Sequence, residues 1–147
     1  MNDKDLQKLA TLLAKQLDVQ NKFLDLEKRK TKVLVDGNIE KLDEILRQEQ
    51  PLILTSGSLE KQREALLAEA GLLDMTLRQI MENYDPENKY LLKSKFDNLV
   101  DVLSQLKKVN NMNAKILNSR LSVIGQCLSL IGLRQENLTY NKDGLFR

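Results

Sequence analysis

The chain has 147 residues, with 23 lysines and arginines against 21 aspartates and glutamates, no histidine, no tryptophan and one cysteine, Cys127. This inventory excludes a Ser-His-Asp or Cys-His catalytic arrangement and an internal disulfide, and it leaves only carboxylates as candidate metal ligands. Charges are interspersed and nearly balanced, which gives no footprint for nucleic acid.

Aromatic residues make up 4% of the chain, too few for a thick globular core. Leucine, lysine, glutamate and glutamine dominate, and these straight-chain residues lose little rotamer freedom in a helix. The length fits a single domain over residues 1–147. MNDKDLQKLA at the start lacks the basic region and apolar core of a signal peptide. The longest apolar-rich stretch, residues 123–133, falls far short of the ~20 residues that span a bilayer. A cytoplasmic location without membrane insertion is therefore expected.

A first helix is predicted over about residues 3–35. Leu6, Leu9, Leu13, Leu17, Phe23, Leu24 and Leu34 share one face, while Gln16, Gln20, Glu27 and Lys30 interrupt it as polar seam positions. Gly37 closes this helix and Asn38 caps the next.

The second helix is expected over about residues 39–83, through Leu42, Ile45, Leu52, Leu59, Leu66, Ala70, Leu73, Leu77, Ile80 and Tyr84. Pro51 and the Thr55-Ser56-Gly57-Ser58 patch should kink it. A break at residues 55–58, giving a fourth helix, stays open as the alternative.

Asp85-Pro86-Glu87 reads as a helix start: a capping aspartate, proline at the first helical position and an acid in the first turn. The third helix then runs over about residues 86–133 and leaves a tail at 134–147. The expected fold is all-α, a long antiparallel three-helix coiled-coil bundle with the second helix kinked near Pro51 and Thr55 to Ser58.

No Gly-rich phosphate loop precedes a helix. Acid pairs such as Asp43/Glu44 and Glu82/Asp85 read as surface charges and caps. Neither catalysis nor a cofactor is expected. Cys127, among Ile124, Leu128 and Ile131, reads as a buried small hydrophobe. Asn110, Asn111, Asn113 and Asn118 form a further group; a buried asparagine fixes register and an exposed one is neutral, and the sequence does not separate the two.

The end of the third helix carries the most information. Leu121, Ile124, Leu128 and Ile131 form an apolar stripe, and Ser122, Gly125, Ser129 and Gly132 form a parallel stripe of small residues. Val123, Cys127 and Leu130 widen the apolar girth beyond what a two-neighbour seam requires. Two readings stand side by side: packing against the first two helices, or a groove-binding helix that orders on meeting a client.

The chain resembles the FlgN family, cytoplasmic export chaperones of the bacterial flagellum. Gly37-Asn38-Ile39-Glu40-Lys41-Leu42 is similar to that family's Gly-Asp-Leu-Glu-x-Leu corner, with asparagine in place of aspartate. Asn110-x-x-Asn113-x-x-Ile116-Leu117 is similar to its asparagine-plus-aliphatic pattern, and Tyr140-Asn141-Lys142-Asp143-Gly144 to its Tyr-x-x-x-Gly ending. The resemblance implies a chaperone for the hook–filament junction proteins FlgK and FlgL, engaging their C-terminal helices and delivering them to the export gate protein FlhA. It places client binding at about residues 118–133, where Leu121, Val123, Ile124, Gly125, Cys127, Leu128 and Ile131 are the candidates, and gate docking at Tyr140. The competing expectation is a coiled-coil adaptor or scaffold acting through oligomerisation.

Overall fold

The computed structural model describes residues 1–132, which form α1 (Asp3–Asp36), α2 (Ile39–Glu69), α3 (Leu77–Tyr84) and α4 (Leu92–Leu130). Among the described residues there is no strand. Asn2 starts α1, its side-chain oxygen accepting from Asp5 N at 2.8 Å. Gly37, at φ 70°, ends it. Gly37 N donates to Leu34 O and Asn38 N to Val33 O, so two carbonyls that the helix end leaves orphaned are satisfied within the turn. Asn38 then caps α2 through Lys41 N at 3.1 Å.

This tight corner lays α2 antiparallel along α1. Near the corner Lys30 meets Glu49, and further along Gln16 and Gln20 meet Ser56. The longer connection through α3 returns α4 parallel to α1. Asp3 meets Tyr90, Glu27 meets Asn113 and Val35 meets Arg120, at sequence separations of 87, 86 and 85 residues. α1 is thus the shared central helix, packed on α2 along one side and on α4 along the other.

The main core lies at the end opposite the corner. Leu6, Leu9 and Leu13 of α1 meet Leu66 and Leu67 of α2, Ile80 and Met81 of α3, and Leu92 and Leu99 of α4. Leu9, Leu67, Ile80 and Leu92 are the most completely enclosed, and burial of such a side chain stabilises by about 1.5–3 kcal/mol. A smaller cluster of Leu26, Val33 and Ile45, flanked by Leu42 and Leu52, joins α1 to α2 near the corner.

Three points bear on the sequence expectation. First, α2 continues as one helix through Pro51 and Gly57, as the continuous reading expected and without the alternative break at residues 55–58. Pro51 is exposed, and its carbonyl accepts from Thr55 Oγ1 at 2.9 Å. Second, the helix expected to reach residue 83 stops at Glu69. Gly71 (φ 71°) makes the same closing turn as Gly37, with Leu72 N donating to Leu67 O and Gly71 N to Ala68 O. The apolar steps continue beyond it because α3 is a separate helix serving the same core. Its start is a capping box in which Thr76 and Gln79 satisfy each other's backbone N–H.

Third, Asp85-Pro86-Glu87 forms a turn rather than the start of the last helix. Asp85 ends α3 and is buried, and its carboxylate accepts from Tyr90 N. Asn88 N donates back to Asp85 O, and Pro86 suits the second position of such a turn. The start of α4 is instead supported by Asn88, whose Oδ1 accepts from Lys93 N at 3.0 Å. Helix α4 then ends at Leu130, three residues before the expected limit.

A candidate partner-binding surface

The polar seam residues of α1 meet at mid-bundle. Lys30 Nζ lies 2.8 Å from Glu27 Oε1 and 2.6 Å from Glu49 Oε1, and all three residues are buried. From α4, Asn113 enters this group with no exposed surface. Its Nδ2 donates to Glu27 O and Oε2 at 3.0 and 2.8 Å, and its Oδ1 accepts from Thr31 Oγ1 at 2.5 Å.

Burial pushes the Glu27 carboxyl upward, but the Lys30 ammonium and the Asn113 amide outweigh it and hold Glu27 below the usual carboxylate range. Glu49 lacks the amide. Burial together with the neighbouring Glu27 carboxylate lifts it above that range despite Lys30. Burial also works against the Lys30 ammonium, yet its two carboxylates prevail and raise it. This group stores a register, not a reaction: it fixes where α2 and α4 lie along α1.

That register determines what happens at the other end. A separation of 85 residues at Arg120 sets Asp36, the last residue of α1, level with Leu121. Residues 122–130 of α4 therefore run on past the end of α1, by about 13 Å at 1.5 Å per residue. Arg120 marks the exit point: its guanidinium donates to the Val35 carbonyl and lies against Gly37.

Beyond this point the apolar residues are largely uncovered. Val123 is 57% exposed, Ile124 49% and Ile131 72%; Leu130 is also exposed. Leu121 and Leu128 are half-buried, Cys127 is exposed and Gly125 is buried. The expectation of a buried Cys127 is thus corrected, since it lies on the part of α4 that passes the end of α1. Of the small-residue stripe, Ser122, Ser129 and Gly132 are exposed.

The corner and the end of α4 together enclose an open cleft of about 660 Å³. One side is Leu121, Val123 and Ile124; the other is Val33, Leu34, Ile39, Leu42 and Leu46, with Arg120 and Asp43 as its charged members. The structure so brings three of the seven expected binding residues to one cleft. It adds a wall from α1 and α2 that periodicity alone does not reveal. The available signal was the hydrophobic Ile39 directly after the capping Asn38, on the outside of a tight turn. Tyr140 lies outside the described residues.

Among the described residues, no group of three acids or thiols is placed to hold a metal ion, and no helix is long and apolar enough to cross a membrane.

An uncharacterised protein of Bacillus subtilis (strain 168), YvyG, is 28% identical over 123 residues, covering 82% of this chain and 77% of its own length. No solved structure matches the chain. A family model described as FlgN protein matches residues 1–145. With the match running nearly end to end, over the corner, the asparagine-marked α4 and its exposed end, the chain belongs to the FlgN family of flagellar export chaperones.

Proposed function

We propose that the protein is a cytoplasmic chaperone that binds the hook–filament junction proteins FlgK and FlgL through their C-terminal helices and delivers them to the export gate protein FlhA. The observation that carries this reading is the apolar stretch of α4 running past the end of α1 with Val123, Ile124 and Ile131 exposed. A surface of this kind suits the apolar face of an amphipathic helix. Leu121, Val123, Ile124, Gly125, Cys127, Leu128 and Ile131 are the proposed client contacts. Binding replaces the contacts the client makes after assembly, and a competing partner at the gate drives release. Tyr140 is the proposed gate contact, an aromatic anchor with one polar tip.

The test is complex formation with purified FlgK and FlgL, followed by light scattering after size exclusion. A monomeric chaperone giving a stoichiometric complex supports the proposal. A stable homo-oligomer indifferent to both proteins would sink it and favour a scaffold role. Tyr140→Ala should spare the client complex and weaken FlhA binding; the opposite pattern would refute the assignment of the two contacts.

A further inference from the structure

We propose that the α1–α2 corner forms the second wall of the partner site, so that a partner helix lies in a cleft between Ile39 and Leu42 on one side and Leu121, Val123 and Ile124 on the other. This rests on the reading of α4's end as a docking surface and goes beyond it, because the hairpin becomes part of the recognition surface instead of its support.

Three observations converge. Ile39, the first residue of α2, is 81% exposed and lines the same cleft as Val123 and Ile124. The face of α4 that receives α1 continues past Asp36 as Leu121, Ile124, Leu128 and Ile131, at steps of three and four. The surface of α4 that accepts α1 is therefore continuous with the uncovered surface beyond Asp36, which suits the packing of a second helix. Finally, residues 121–132 contain no charged side chain, and Arg120 is engaged with the Val35 carbonyl.

The occupant that fits is an amphipathic helix of a partner protein, about three turns long, presenting an uncharged apolar stripe. Its binding should change by less than about threefold between low and high salt, since little of the contact is ionic.

The experiment is calorimetric titration of the full-length chain with purified FlgK, using Ile39→Asp, Val123→Asp and the control Leu54→Asp. Leu54 is 76% exposed on α2 and does not line the cleft. Aspartate at position 39 suits the first turn of a helix, so the variant should fold, as circular dichroism will report. Ile39→Asp and Val123→Asp should each weaken binding by about tenfold or more, and Leu54→Asp by less than about twofold. Loss of binding only in Val123→Asp would overturn the corner wall and leave the proposed function standing. Native affinity in both would overturn the wall together with the reading on which it rests. A chaperone dimer, seen by light scattering without FlgK and dissociated by Ile39→Asp, would assign the cleft to a second copy and also overturn the proposal.

Discussion

Asn113 and Glu27 are joined by two hydrogen bonds from one amide nitrogen, to the glutamate's backbone carbonyl and to its carboxylate. The pair ties α4 to α1 inside the bundle, where Asn113 has no exposed surface. Loss of the amide would leave a buried carboxylate oxygen without its donor. Asn113→Ala is expected to cost about 2–3 kcal/mol, as for other buried bonds to charged groups. Asn111, exposed two residues earlier, should tolerate alanine within about 0.5 kcal/mol. Urea unfolding midpoints of the two variants measure the difference.

Two carboxylates and one ammonium leave the buried group with an excess negative charge, with Glu49 and Lys30 shifted upward and Glu27 downward. Glu49 is raised above its ordinary 4.5. Its contribution to stability is therefore present below pH 4.5 and is lost as pH rises through the higher folded value. Glu27 is lowered, so its contribution is present above pH 4.5 and disappears as pH falls through the lower folded value. Lys30 is raised above 10.5, and its contribution is lost only above that pH. Glu49→Gln should accordingly flatten the decline in stability above pH 4.5 while leaving the acid limb set by Glu27. Denaturation midpoints measured from pH 3 to pH 8, a range of about five units chosen to bracket both limbs, would show an unchanged upper limb if this view of Glu49 is wrong.

Removal of Lys30 should be far more damaging than removal of Glu49. Lys30→Met leaves Glu27 and Glu49 buried together without their shared cation, at a cost of about 3–5 kcal/mol. Replacing Lys30, Glu27 and Glu49 together by apolar residues should recover much of that loss while weakening the register of α2 on α1. Thermal unfolding reports the first effect and amide exchange along α2 the second.

Gly37 and Gly71 end their helices with the same backbone turn but have different surroundings. A Cβ at Gly71 would meet open space, whereas one at Gly37 would come within 3.0 Å of Arg120 Nη1. Alanine at either site should cost about 1–2 kcal/mol for the left-handed backbone, with an additional loss at Gly37. In an Arg120→Ala background that additional loss should vanish. A double-mutant cycle on unfolding free energies tests this, and equal costs in both backgrounds would show that the guanidinium is indifferent to the corner.

Tyr90 joins the start of α1 to the loop before α4 by donating its hydroxyl to Asp3. The same bond, with the aspartate's charge, pushes the phenol up to about 12. Asp3→Asn should return Tyr90 toward the ordinary value of about 10. NMR titration of ring-labelled tyrosine would follow the shift directly.

Helical periodicity made the all-α fold, the Gly37–Asn38 corner and the polar seam of α1 legible before any coordinates. It was less informative at Gly71, since the apolar steps pass across the break and resume in α3. Proline likewise had two meanings. Pro51 sits on the exposed side of an uninterrupted helix, while Pro86 belongs to a turn held by Asp85 and Asn88. The role of Asn113 required knowing which α1 residues it faces, and those are 82 to 86 positions away. The cleft was hidden for the same reason. Ile39 and Ile124 come to line one cleft only through the register of three helices, which no local pattern encodes.

The ion triad lies entirely within α1 and α2, and α4 contributes only the neutral amide of Asn113. When the chain emerges from the ribosome, its first 69 residues thus already carry every charged partner of that group, and only the neutral amide donor to Glu27 waits for the second half of the molecule. Pulsed proteolysis of stalled nascent chains should find the hairpin protected before residue 113 appears; protection only after it would show that Asn113 nucleates the assembly. α4 can then join a hairpin whose lysine already has both its carboxylates, and among the described residues it can part from that hairpin without separating a cation from an anion.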